Sequence, residues 1–273
     1  MTTPELPLVI EPDQLHRHLL NEQLLIVDLS DPNAYADRHV PGAVNLPYSR
    51  IVHAEPPAMG LLPDEAQLSR VFSEIGLKPE LHVVAYDQEG NGRASRLLWT
   101  LDALGHERIS LLNGGLHAWV NDGHHAEAGI IEPYTTDYRA RIEKPEVLAD
   151  KSYVLTHLND PHVKILDARS PAEFAGEDKR AARVGHIPGA VNLEWVQTMD
   201  QGRHLRFKPD PELREMLKVR GITPEKEIVV HCQTHHRSAH TYVLLKHLGF
   251  ERVRGYAGSW SEWGNDPNTP VEV

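Results

Sequence analysis

The chain has 273 residues, long for one compact domain and ample for two, with the 40% hydrophobic and 25% charged content of an ordinary soluble globular protein. A formal net charge of −11 argues against binding to nucleic acid, which needs a basic face to displace phosphate counterions, and against adsorption to anionic membranes. A small anionic substrate is compatible with that charge only where a local positive patch overrides the global field.

The N-terminal stretch "MTTPELPLVIEPDQL" has neither a basic n-region nor a long apolar core, so no secretory signal is expected. The first predicted strand lies in "LLIVDL" (24–29), rich in β-branched residues and far too short to span a bilayer. "DPNAY" (31–35) then reads as an Asp-Pro helix entry. "HVPGAVNLP" (39–47) leads to the next buried strand, "VVAY" (83–86). A polar turn, "DQEGNGR" (87–93), passes into a helix-like segment, and "NGGLHAW" (113–119) closes the first half. Residues 124–150 are polar, carry scattered prolines and have no clean period, as expected of a linker.

The second half repeats the first. "VKILDARSPAEF" (163–174) answers the first strand and helix entry, with Ser170 as N-cap, Pro171 at the first helical position and Glu173 closing a capping box. "HIPGAVNLE" (186–194) answers "HVPGAVNLP", and Trp195 follows it as a packing aromatic or a pocket wall. "IVVH" (228–231), the turn "CQTHHRS" (232–238), a helix from about Ala239, and "YAGSWSEW" (256–263) complete the copy. The offset drifts from 139 (Asp28 to Asp167) to 147 (His39 to His186) to 144 (Trp119 to Trp263), with the drift in polar loops such as "AGEDKRAAR". Strands alternating with helices give an α/β fold: two duplicated domains, 1–123 and 151–273, each a mainly parallel sheet flanked by helices. Asp28 and Asp167 end their strands as turn-capping residues.

Cys232 is the only cysteine. It cannot form an intramolecular disulfide, which fits a reducing compartment, the cytoplasm. A lone cysteine ending a strand is ordinarily a small buried hydrophobe. Here it stands at a strand-to-turn-to-helix junction, where ligand sites of open α/β sheets lie and where loop N–H groups and a helix N-terminus stabilise an anion. His235, His236 and Arg237 add positive charge, which lowers a thiol pKa and favours the nucleophilic thiolate. Asp87 occupies the equivalent place in the first half, so one copy holds a nucleophile and the other does not. With no second thiol, a dithiol cycle is excluded, and whatever Cys232 acquires passes to an external acceptor. Arg237 reads equally as a ligand and as a loop scaffold, because Arg93 stands in the cysteine-free turn. His231, Cys232, His235 and His236 lack the ligand set of a structural zinc site, so no metal is expected, and nothing calls for a cofactor.

In order, and twice over, these pieces resemble the rhodanese family of sulfurtransferases in its tandem form, and "CQTHHR" resembles the loop of bacterial thiosulfate sulfurtransferases. The resemblance implies a five-stranded parallel sheet in each domain, an inactive first domain and a catalytic second one. It implies attack of the Cys232 thiolate on the outer sulfur of thiosulfate, release of sulfite, and transfer of the persulfide sulfur to cyanide, a thiol or a dithiol. Arg237, His235, His236, Gln233, Thr234 and Trp195 are the expected substrate-binding residues, with protonated His235 or His236 assisting the donor. The loop lacks the Arg-Lys pair of vertebrate-type thiosulfate enzymes and the Gly-Ser-Gly of mercaptopyruvate enzymes. The family's arginine early in the second domain falls at Glu173, expected instead to serve the capping box. A 3-mercaptopyruvate sulfurtransferase is thus an alternative. A cysteine phosphatase or arsenate reductase would need five residues between cysteine and arginine, where four intervene here. A non-catalytic sulfur-relay module fits poorly with an intact cysteine in a cationic turn.

Overall fold

The computed structural model describes residues 5–273, so the first four residues of the N-terminal stretch read as signal-free lie outside the described residues. Two compact units are present. The first comprises the chain up to Ile51, Pro63–Lys144 and Asp200–Phe207; the second comprises Val52–Leu62, Pro145–Met199 and Lys208–Val273. Each unit therefore takes in a short segment from the other half of the chain, which a division at a contiguous linker does not anticipate.

The sheet of the first unit contains β1 (Val9–Ile10), β2 (Leu24–Asp28), β3 (Val44–Asn45), β4 (His82–Tyr86) and β5 (Ile109–Leu112) in the spatial order β1-β5-β4-β2-β3. The second contains β6 (Leu148–Ala149), β7 (Val163–Asp167), β8 (Val191–Asn192), β9 (Glu227–His231) and β10 (Val253–Tyr256) in the order β8-β7-β9-β10-β6. All pairings in both sheets are parallel and the two orders are the same topology, so the duplication extends to strand connectivity. The cores repeat as well: Ile26, Val40, Ala43, Val84 and Trp119 in one unit answer Ile165, Ile187, Ala190, Val229 and Trp263 in the other. Strands buried on both faces need near-continuous apolar runs, which is why "VVAY" and "IVVH" lack alternation.

Local chemistry sets the element ends. Ser170 and Glu173 form the reciprocal capping box at the helix Pro171–Phe174, and Asp31 caps Pro32–Asp37 through the Asn33 N–H. Asp28 and Asp167 accept the N–H groups of Ser30 and Arg169 at 2.7 and 2.9 Å. The expected linker is structured in its middle and at its C-terminal end. Leu148–Ala149 is the edge strand β6, and Tyr138, Ala140 and Ile142 donate their N–H groups to Ser73, Ser69 and Glu65. Those three acceptors lie four residues apart on the helix Glu65–Glu74, so one helix face replaces the strand partner this segment lacks. Sequence reading missed them because spaced serines carry no hydrophobic signal. No helix among the described residues is long and apolar enough to cross a membrane.

Candidate active site

Strand β9 is central, between β7 and β10, and chain order reverses between β7 and β9. This is the topological switch point, where the carboxyl ends of the strands open a crevice. Cys232 follows β9 directly; it is a free cysteine and 1% exposed. Residues 233–236 turn the chain, with His235 at φ +54°, and the helix Arg237–His247 begins two residues before the expected Ala239 because that single left-handed residue completes the reversal.

The turn folds its donors onto the sulfur. The Ser238 hydroxyl and the backbone N–H groups of Ser238 and Thr234 face Cys232 and favour its thiolate. Burial pushes the thiol up, but the Arg237 charge and these hydrogen bonds outweigh it and hold the thiol below its ordinary range. His235 Nδ1 lies 2.8 Å from Ser238 Oγ. With Nδ1 protonated, His235 donates to Ser238 Oγ and leaves the hydroxyl proton free for the sulfur. His235 is fully buried and reaches the sulfur through Ser238.

Arg237 is held by two parallel hydrogen bonds to Glu173, at 2.6 and 2.8 Å. Burial would raise the Glu173 carboxyl, but the bonds to Arg237 and Ser170 hold it down to about 2. Glu173 thus fills both its expected capping role and a second one as the partner of Arg237. Gln233 reaches outward, its Nε2 donating to the Arg180 carbonyl at 3.1 Å, which ties the turn to the inserted loop 175–183. Trp195 and His236 are half-buried with ring centroids 5.8 Å apart, and Trp195 meets the buried His240 edge-on at 5.4 Å. Beneath the turn, Asp167 and Arg169 form a fully buried ion pair at 2.6 Å, with the guanidinium 4.4 Å above the Trp260 ring. Burial lowers the His231 pKa against the pull of Asp167, which favours the neutral ring beside the cysteine.

The first unit offers an internal comparison. Four loop residues again separate the strand-end residue, Asp87, from the helix Gly92–Ala103. Asp87 Oδ1 accepts the N–H groups of Glu89 and Asn91, and Oδ2 those of Arg93 and Ala94, all at 2.7–3.1 Å. The same turn therefore turns N–H groups toward the strand-end side chain in both units. The left-handed residues Asn91 and His235 correspond, as do the helix-ending glycines Gly105 and Gly249, so Arg93 keeps the register of Arg237. Arg93 pairs with Glu89 of its own turn at 2.9 Å, whereas Arg237 pairs with Glu173.

Sequence reading missed Ser238 and Ser259. Ser259 adopts φ +52°, where Gly115 stands in the first unit at φ +57°. Its hydroxyl accepts from the N–H groups of Cys232 and His235, at 3.3 and 3.1 Å, and donates to the Tyr256 carbonyl. A side chain in left-handed backbone costs about 1–2 kcal/mol, and those three bonds offset it. The replacement of Gly115 by Ser259 was the available signal. Among the described residues, no group of three or more His, Cys, Asp or Glu side chains is placed to hold a metal ion.

The family model of the rhodanese-like domain matches residues 11–122 and 150–266. A thiosulfate sulfurtransferase of Pseudomonas aeruginosa is 46% identical over 98% of this chain and 98% of its own length. A thiosulfate sulfurtransferase of Azotobacter vinelandii is 47% identical over the same shares, 98% and 98%. The 3-mercaptopyruvate sulfurtransferase of Escherichia coli is 30% identical over 95% of this chain and 96% of its own. A crystal structure of the anaerobic ergothioneine biosynthesis enzyme from Chlorobium limicola shares the fold, with a TM-score of 0.89 at 21% identity over 97% of this chain and 70% of that one.

Proposed function

The chain belongs to the rhodanese-like family, two copies of that domain in tandem, and on that premise we propose that it is a thiosulfate sulfurtransferase whose second copy works through a persulfide on Cys232. The full-length similarity to thiosulfate sulfurtransferases, at 46 and 47% identity against 30% for the 3-mercaptopyruvate enzyme, supports thiosulfate as donor.

The observation that carries the site assignment is the contrast between two corresponding turns. One closes on a carboxylate already satisfied by four N–H groups. The other closes on a thiol whose pKa is lowered. In the first step the Cys232 thiolate attacks the outer sulfur of thiosulfate. A new S–S bond forms to Cys232, the old S–S bond breaks, and sulfite leaves with the electron pair. In the second step an external nucleophile takes the terminal sulfur and returns the thiolate; cyanide would leave as thiocyanate. Loop N–H groups that hold a thiolate also hold the anionic terminal sulfur, and such preorganised donors are each worth about 10²–10³ in rate.

In this reading Gln233, Thr234, His236, Arg237 and Trp195 border the approach to the sulfur, and His235 acts through Ser238. Arg237 supplies the positive charge for a dianion while Glu173 fixes its orientation. A cellular thiol or dithiol is the acceptor class, because the chain has no second cysteine to resolve the persulfide. The same single cysteine supports a cytoplasmic location.

Steady-state thiocyanate formation tests the scheme. Parallel double-reciprocal lines for thiosulfate and cyanide are expected, with loss of turnover in Cys232→Ser. Intersecting lines, or turnover surviving in Cys232→Ser, would overturn it.

A further inference from the structure

Residues 52–62 come from the cysteine-free half of the chain, yet they belong to the compact unit that contains Cys232. They form a hairpin of His53–Glu55 and Ala58–Leu61. Its second strand packs on the helix Ser259–Trp263. The Met59 N–H donates to Ser261 Oγ at 3.1 Å, and the Ser261 N–H donates to the Gln233 carbonyl at 3.0 Å. A Cβ on Gly60 would stand 2.2 Å from the Thr234 carbonyl oxygen and 2.9 Å from the Ala257 carbonyl oxygen. Gly60 is not in left-handed backbone, so closeness to the turn, and not conformation, demands glycine there.

These contacts bear on two successive peptide groups of the turn. The Gln233–Thr234 peptide has its carbonyl held by the Ser261 N–H, and its own N–H is one of the groups that favour the Cys232 thiolate. The Thr234–His235 peptide has its carbonyl backed by Gly60 and its N–H taken by Ser259 Oγ. A peptide group is planar, so fixing the carbonyl side fixes the direction of the N–H. The hairpin thus presses from outside on the backbone that presents the Thr234 donor.

We propose that the hairpin 53–61 is a positioning element of the Cys232 cradle, seated through Gly60 and Met59 so that the Thr234 N–H stays aimed at the sulfur. The half of the chain without a nucleophile thereby contributes to the chemistry of the other half. This assignment rests on the reading of Cys232 as the nucleophile. It also gives the Met59–Gly60 segment a role that no motif in the sequence announces.

The test is the pH profile of Cys232 alkylation by iodoacetamide in the full chain, for the parent, Gly60→Ala and Ser261→Ala. Gly60→Ala inserts a methyl against the Thr234 carbonyl and is expected to move the alkylation midpoint upward by about one pH unit, an approximately tenfold loss of thiolate below the midpoint. Ser261→Ala releases Met59 without adding an atom and is expected to move it in the same direction. A folded Gly60→Ala protein with a parental midpoint, even with a lowered melting temperature, would reduce the hairpin to packing and overturn the proposal. Should Gly60→Ala fail to fold, the Ser261→Ala midpoint decides by the same criterion. Alkylation requires no sulfur donor, so a parental profile in the variants leaves the persulfide scheme standing. Absence of persulfide in the parent would count against that scheme and not against the cradle.

Discussion

At Cys232 two opposed effects meet, and their balance sets reactivity. Burial favours the neutral thiol, while Arg237 and the donors of Thr234 and Ser238 favour the thiolate, and the second group wins. A depressed pKa means that the reactive form is present above that pKa and lost as pH falls through it. The rate of the first half-reaction should therefore rise through a midpoint below that of an ordinary thiol. In Arg237→Gln, where the charge nearest the sulfur is gone, that midpoint should move up by about one to two units, read by single-turnover sulfite release across pH. A midpoint unmoved in Arg237→Gln would assign the depression to the backbone alone. Cys232, its cationic neighbours and the empty counterpart at Asp87 were legible because residue type carries their chemistry. Ser238 and Ser259 were not, since a serine acquires meaning only when a particular backbone places its hydroxyl against a donor or acceptor.

Among the elements, the short helix Pro171–Phe174 does more than its capping box requires. Glu173 at its third position closes the cap and also grips Arg237 across the turn. Its carboxyl is held at about 2 against an ordinary 4.5. A depressed carboxyl contributes stability that is fully present above the ordinary value and is lost as pH falls toward the folded one. This contribution should disappear between about pH 4.5 and 2. Glutamine can still close a capping box, so Glu173→Gln isolates the ion pair. Denaturant unfolding near pH 7 should show a loss of about 3 kcal/mol, and the difference between variant and parent should shrink in that acid window. A constant difference down to pH 2 would show that shape, not charge, is what Glu173 contributes. The capping box was readable from "SPAEF", but its ion pair was not, because 64 residues separate Glu173 from Arg237.

For the whole molecule, duplication was the most legible feature. Repeated strands, turns and core positions appear in the sequence in order, and both sheets have one topology. The assignment of residues 52–62 and 200–207 to the units opposite their halves was hidden, because a repeat locates equivalent segments but says nothing of where an insertion packs. Two copies with one thiol make a stoichiometric claim about the entire chain. Intact mass after mixing with thiosulfate tests it most directly. A gain of one sulfur atom per chain is expected, removed by cyanide and absent in Cys232→Ala; no gain, or a gain that persists in Cys232→Ala, would rule out a single persulfide on Cys232.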